Sequence, residues 1–373
     1  MKKLIFLKFA KDTLSFFLIL CLAIGLIVWT LQAVNYFDYV TQDGHGLKTY
    51  FSYILLNFPK IIHRIIPFIF FISLFYMLIN YEMRNELLLY WTSGITKQNF
   101  ARKVLYLSIV LTVIQIFIGG FFSPYSQYKA REFLKNSNID FFTSLIKEGK
   151  FINVVDGLTI FIESRNNNNT YSNIFIDDSS KSVSRMIYSK TGVLIDNESI
   201  KIFRLYDGKV INKEKSKINV FKFDQIDFNL ADYSTNTILV PKVQEQPSFS
   251  LIKCVMLLND INFFKEIKIK NLNCQKSFMK DAYQELFKRF YKPLYIPIIG
   301  LLCCFLIIIP KNNFNYQKNK KIIFLITFLL LIVSEASLRY STQSNFSTAL
   351  YLFLPWLIFI LIFFIFNKRL KNV

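Results

Sequence analysis

The stretch DTLSFFLILCLAIGLIVWTLQAVNYFD, Asp12 to Asp38, holds 25 uncharged residues between its two aspartates. A helix needs roughly 20 such residues to cross about 30 Å of hydrocarbon, so this run predicts a membrane span. Lys2, Lys3, Lys8 and Lys11 give it the basic flank of a signal peptide. Its length and the lack of a small-residue cleavage site point instead to a retained anchor. Five further apolar runs follow: Ile65 to Tyr81, Val104 to about Phe122, Pro293 to Pro310, Ile322 to Leu338 and Ala349 to Phe366. The expectation is a membrane α-helical protein of six transmembrane helices, three before a long interruption and three after it.

Composition agrees with that reading. The 373 residues are 53% hydrophobic and only 19% charged, with 41 Phe, which excludes a disordered chain and is foreign to an ordinary soluble enzyme. The 45 Lys and Arg against 25 Asp and Glu give a net charge of +20. A nucleic-acid-binding protein carries such a charge, but it has no use for uncharged runs of this length. Membrane lipids are the expected partner, and no nucleic acid is expected. The distribution of Lys and Arg in short connections sets orientation. With the N-terminus in the cytoplasm, 15 of them fall on that side, whereas Lys48 and Arg339 fall on the other. Both termini are therefore expected in the cytoplasm, and the interruption from about Ser123 to Lys292 outside it.

Within the interruption, Tyr125 to Lys147 reads as helix, after which the apolar period changes from 3.6 to 2. Strand-like runs appear at Leu158 to Glu163, Tyr171 to Ile176, Arg185 to Ile195, Ser199 to Tyr206, Lys209 to Asn212 and Ile218 to Leu230. Asp207-Gly208 reads as a hairpin turn. These runs predict an inserted all-β extracytoplasmic domain, a sandwich or jelly roll with open sheet edges. Helical patterns return at Leu251 to Asn259 and Met279 to Phe290. The expected domains are residues 1–125, with a short helix at about 82–94, then 126–290 and 291–373.

The chain lacks the phosphate-loop, H-E-x-x-H, Cys-x-x-Cys and G-x-S-x-G patterns, so no catalytic residue, metal or cofactor is expected. Five Cys and two His leave little scope for such sites. Asp43-Gly44-His45-Gly46 reads as a loop. Cys254 and Cys274 share the oxidising side, where a bridge and two separate thiols are equally compatible with their positions. Cys21, Cys303 and Cys304 lie in spans and read as core residues.

The connection from Glu82 to Arg102 is the first candidate site. A Leu87-Leu88-Leu89 run, Trp91, a Gly94 stop and Thr96 as N-cap describe a short helix at the membrane face. ABC permeases insert such a helix into a groove of their ATPase, with an acid such as Glu86 to fix register. An interfacial amphipathic helix with a solvated Glu86 is the alternative.

The order of spans, together with Asn85-Glu86-Leu87 and Thr92-Ser93-Gly94-Ile95-Thr96, resembles the LptF/LptG lipopolysaccharide-export permease family. Lys11-Asp12-Thr13-Leu14, Gly149-Lys150-Phe151, Phe161-Ile162-Glu163-Ser164 and Glu285-Leu286 with Arg289 extend the likeness over nearly the whole chain, and Phe-Ile-Glu-Ser favours the LptF member. The resemblance implies an ABC transporter permease of the inner membrane of the Gram-negative cell envelope. It implies a heterodimer with an LptG-like permease, an LptB-like ATPase dimer, and LptC-like and LptA-like periplasmic proteins that receive lipopolysaccharide. Glu86, Leu87, Leu88, Trp91 and Gly94 then form the ATPase-coupling site, and the β domain matches the family's jelly roll. Family members carry a basic residue near the outer end of the first span, where this chain has Gln32 and Asn35.

Lipopolysaccharide presents phosphates above acyl chains, so its cavity needs cations at the outer membrane surface. Lys60, His63 and Arg64 share one helical face there, with Lys129 and Arg131 beyond the third span and Arg289 and Lys292 before the fourth. Lys60, Arg64, Lys129, Arg131 and Arg289 are the candidate substrate-binding residues, against ordinary headgroup anchoring. Glu335 within the fifth span is expected to pair with Arg339 one turn further out. The alternatives to a transporter subunit are a membrane-anchored periplasmic scaffold and a mechanotransmitting ABC subunit.

Overall fold

The computed structural model describes residues 2–37, 47–145, 148–155, 157–166, 170–179, 184–197, 200–214, 217–229, 242–258 and 279–371. Asp43-Gly44-His45-Gly46 and Cys274 lie outside the described residues. The chain forms two compact units, one of Met1–Gln32, Leu56–Lys129 and Lys242–Val373, the other of Ala33–Leu55 and Ala130–Pro241.

In chain order, α1 (Lys2–Asn35) and α2 (Leu47–Met83) precede the short α3 (Glu86–Thr92). Then α4 (Lys97–Phe117) runs through a π turn at Ile118–Phe122 into α5 (Ser123–Leu145). After the strands come α6 (Ser248–Leu258) and α7 (Met279–Leu286), which continues through a π turn at Phe287–Tyr291 and a 3-10 turn into α8 (Tyr295–Cys303). The last two are α9 (Tyr316–Tyr340) and α10 (Asn345–Lys371). Among the described residues, six stretches are long and apolar enough to cross a membrane: Ile5–Asn35, Leu47–Met83, Lys97–Leu134, Met279–Ile307, Tyr316–Tyr340 and Asn345–Lys371. They stand three before and three after the strands, as the apolar runs require.

In the helical unit α8 is central. Ile296, Ile299 and Cys303 are fully buried, and Val104 of α4 packs in the same core. Lipid is as apolar as leucine, so helices gain from close contact rather than from leaving water. Gly300 meets that need, because a Cβ there would lie 2.1 Å from Ser108 Oγ of α4. The outward faces of α1 (Leu18, Ile19, Leu22) and α10 (Phe353, Trp356, Ile360) stay apolar, as a lipid environment demands. The unit also retains Lys242 to Leu258, which the sequence reading assigned to the β domain. The cause is polar: Arg289 binds backbone carbonyls of Gln244 and Gln246.

Among its described residues the second unit carries six antiparallel strands, β1 (Lys150–Val155), β2 (Leu158–Asn166), β3 (Thr170–Asp178), β4 (Ser184–Asn197), β5 (Ile200–Glu214) and β6 (Lys217–Asn229). They lie in consecutive order, a meander rather than the crossed order of a Greek-key jelly roll. Ile160, Ile162, Ile174, Ile187, Phe203 and Leu205 form its core.

One expectation changes here. Asp207-Gly208 is not a turn: Asp207 adopts φ 51° inside a continuous β5 that joins the two predicted runs. It belongs to a transverse line, Glu163, Asn173, Lys190, Asp207 and Asp224, at which ladder pairing is interrupted while register is kept. Inward residues change parity across this line, from Phe203 and Leu205 to Val210 on β5, and from Tyr171 to Ile174 and Ile176 on β3. Each of β2 to β6 therefore contributes an extra outward residue at the same level, in the manner of aligned bulges.

Candidate functional site

One end of the helical unit is built around α3. Asn85 at φ 59° separates α3 from α2, and Glu86 sits in the first turn, where the helix dipole favours an acid. Gly94 at φ 75° ends the helix, a conformation that a Cβ disfavours. Its N–H donates to Trp91 O at 3.1 Å, and Ile95 N–H to Tyr90 O at 3.0 Å. Thr96 then caps α4 by accepting from Asn99 N–H at 3.2 Å, as predicted.

The faces of α3 divide sharply. Leu87 and Tyr90 are buried, whereas Leu88 is 58% and Leu89 61% exposed. Three successive leucines cannot share one helical face, because each residue turns about 100°. Leu87, expected on the contact surface, is thus a core residue, and Leu89 takes its place outside. The Tyr90 hydroxyl donates to Ile5 O at 2.9 Å, and burial pushes its pKa far above the usual phenol range. Trp91 is half-buried, edge-on to Phe100. Glu86 lies 3.4 Å from Lys8 and 4.0 Å from Arg84, both about two-thirds exposed, so these pairs hold it weakly.

The second feature lies farther along α2. Arg64 is 18 residues from Glu82, about 27 Å at 1.5 Å per residue, which is close to one hydrocarbon thickness. Here α2, the α7 region and α9 enclose a cleft of about 410 Å³ lined by Arg64, Lys242, Asp281, Gln284, Glu285, Lys288, Glu335, Leu338 and Arg339. Two of its acids are neutralised from behind. Fully buried Arg289 donates to Glu285 at 3.1 Å, and Lys288 reaches the same carboxylate at 2.9 Å. Buried Lys292 pairs with Glu335. With Glu285 and Glu335 tied, Arg64, Lys242 and Arg339 outnumber the remaining acid, Asp281, and give the cleft a cationic excess.

These contacts revise several expectations. Glu335 pairs with Lys292 rather than Arg339, because a lysine buried on α7's continuation needs a counter-charge whereas Arg339 extends into the open cleft. Arg289 also donates to Gln246 O, Ser248 Oγ and Gln244 O, each at 2.9 Å. Its guanidinium is therefore turned into the protein and positions the cleft wall. Ser248 in turn donates to Gly120 O in the π turn after α4. Such turns are frequent at functional sites.

Of the remaining basic candidates, Lys60 is half-buried within electrostatic reach of Arg64, Lys288 and Glu285, while His63 is buried. Lys129 is exposed over the Tyr125 ring at 5.3 Å, and Arg131 is half-buried in the β unit. The sequence reading missed Lys242, Lys288 and Arg339 as cleft residues. The Glu285–Lys288 spacing carried a signal for one of them. No periodicity announces Lys242. Cys254 is disulfide-bonded, while Cys21, Cys303 and Cys304 are free thiols in the helical unit.

An uncharacterized protein of Rickettsia prowazekii is 23% identical over 201 residues, covering 54% of this chain and 56% of that relative. The chain thus matches little more than half the length of that curated relative. The profile of the family described as "Lipopolysaccharide export system permease LptF/LptG" matches residues 9–369, through both units, without separating the two members. With six spans around an inserted antiparallel sheet and a match running almost end to end, the chain belongs to the LptF/LptG permease family.

Proposed function

We propose that this protein is the transmembrane permease subunit of an ABC transporter that extracts lipopolysaccharide from the inner membrane and passes it to a periplasmic bridge. The observation that carries this reading is the cationic cleft at Arg64, Lys242 and Arg339, about one hydrocarbon thickness along α2 from α3. Phosphates above a set of acyl chains are the charge pattern such a cleft fits, each exposed cation contributing about 1 kcal/mol toward an anionic surface. Lys60 lies beside Arg64 and adds to the same field.

The exposed leucines of α3, Leu88 and Leu89, supply the apolar contact for an LptB-like ATPase, and Glu86 exchanges its weak internal pairs for a basic residue of that partner. A second permease of the LptG kind covers part of the apolar helical surface, and LptC-like and LptA-like proteins continue the path outside the membrane. The Lys and Arg bias supports cytoplasmic termini. The disulfide at Cys254 supports an oxidising compartment for the segment around α6.

The test is photo-crosslinking of lipopolysaccharide from a probe placed at Leu338 in the assembled transporter. Arg64→Glu with Arg339→Glu is expected to lower crosslinking at least about tenfold, by reversing two attractions of about 1 kcal/mol each. Undiminished crosslinking overturns the assignment of the cleft. Leu88→Asp with Leu89→Asp is expected to abolish co-purification of the ATPase, and retained ATPase overturns the docking role of α3.

A further inference from the structure

We propose that the outward face of the β sheet is a saccharide-binding cleft. Register sets Phe151, Phe161, Phe175 and Tyr188 side by side across β1 to β4. Their ring centroids are 4.7 Å apart for Phe151 and Phe161 and 4.7 Å for Phe175 and Tyr188. The row ends on Lys209 and Lys222 of β5 and β6. This ladder faces away from the sheet's core, and its outermost rings stay open, Phe151 at 68% and Tyr188 at 48% exposure. An aromatic row so exposed is an unusual surface for a sheet that already has a core on its other side.

One pleat further along lies the line of extra outward residues, of which Asn173, Lys190, Asp207 and Asp224 line the same cleft. The cleft measures about 1070 Å³, at the upper end of small-molecule sites. Among the described residues, no ion pair joins Lys190, Lys209, Lys222, Asp207 and Asp224 to one another. Donors and acceptors are therefore left to a guest.

This arrangement selects by chemistry. An acyl chain stacked on the rings would desolvate Lys190, Asp207 and Asp224 without replacing their hydrogen bonds to water. A simple anion would meet Asp207 and Asp224, and a simple cation the three lysines. A sugar ring has an apolar face for the aromatics and a rim of hydroxyls that both donate and accept, and this is the complement of two rows laid side by side. The lysines at the end of the ladder suit an acidic or phosphorylated substituent. The ligand is either the headgroup of a glycolipid or a lipid-free oligosaccharide.

Binding is measured on the full chain in nanodiscs by saturation-transfer NMR, with lipid-free core oligosaccharide, intact lipopolysaccharide and laurate as separate probes. The lipid-free oligosaccharide is expected to bind, and Phe175→Ala with Tyr188→Ala to weaken it about tenfold by removing two stacking faces. Tyr188→Phe keeps its face and should retain affinity within about twofold, which separates stacking from misfolding. Equal affinity for the first two probes marks a free saccharide as sufficient, tighter intact lipopolysaccharide whose binding also falls in the double variant marks the glycolipid headgroup as the source, and both results support the cleft. No binding of the lipid-free oligosaccharide, binding unchanged in the double variant, or displacement by laurate would overturn the proposal. The loss of lipid-free oligosaccharide binding in the Phe175, Tyr188 double variant does not depend on the cleft at Arg64, so either proposal can fail alone.

Discussion

The two ends of the helical unit solve opposite problems with the same kinds of residue. At the Arg64 end, charges are buried and tied: Arg289 and Lys292 hold Glu285 and Glu335, and the cations left over face a cleft. At the α3 end, charges are exposed and loosely paired, as Glu86 is with Lys8 and Arg84, while leucines stand open beside them. Order at the first end comes from ion pairs anchored on buried cations, Arg289 and Lys292, where screening by solvent is weak. Order at the second comes from Leu87, Tyr90 and Ile95 packed under the helix, leaving its surface charges replaceable. The difference teaches that a charged residue's place in function depends on what stands behind it, not on its own type.

This contrast is easiest to break where the charge is most deeply buried. Arg289→Ala is expected to lower stability by about 3–5 kcal/mol, since Glu285 loses its inner partner and the carbonyls of Gln244 and Gln246 lose their donor. Unfolding of the detergent-solubilised protein measures it, and a loss below about 1 kcal/mol would contradict the buried network. At the α3 end the backbone, not the charge, should matter. Gly94→Ala, at φ 75°, is expected to cost about 1–2 kcal/mol, read by the same unfolding assay and by faster proteolysis next to α3.

Glu86→Gln should cost the isolated chain less, about 0.2–1 kcal/mol, because Lys8 and Arg84 are exposed. If it destabilised the chain as much as Arg289→Ala, the two ends would not differ in kind. The smallest effect belongs to a partly exposed pair on the sheet, Arg204 and Asp227 at 2.7 Å. The guanidinium holds the Asp227 carboxyl below the usual carboxylate range. Its folded pKa being the lower one, the contribution is present above the unfolded value of about 4 and fades as pH falls through the folded one. Asp227→Asn should remove that pH dependence from hydrogen exchange in β5 and β6, and an unchanged profile would deny the pair any role.

Much of the architecture was legible in the sequence because its signals are local. Twenty-five uncharged residues from Thr13 to Phe37 leave a helix across lipid as the only satisfied backbone, and Thr96 after Gly94 reads as an N-cap within three residues. The sheet was less legible. Asp207-Gly208 carries the composition of a turn, yet tertiary pairing on both sides keeps β5 continuous. The parity change at Asn173, Lys190, Asp207 and Asp224 breaks the alternation on which strand reading rests.

By itself the sequence determined the six spans, the inserted strands, the short helix between the second and third spans and the side on which basic residues collect. Each follows from hydropathy, period or capping within a few turns of chain. Only the tertiary structure decided that Glu335 takes Lys292, that Arg289 faces inward, that Leu87 and Leu89 part company, and that four aromatic rings from four strands form one ladder. The reason is that a charge's partner and a ring's neighbour are chosen by distance through space, which residues 43 or 24 positions apart, such as Lys292 with Glu335 or Phe151 with Phe175, do not reveal in one dimension.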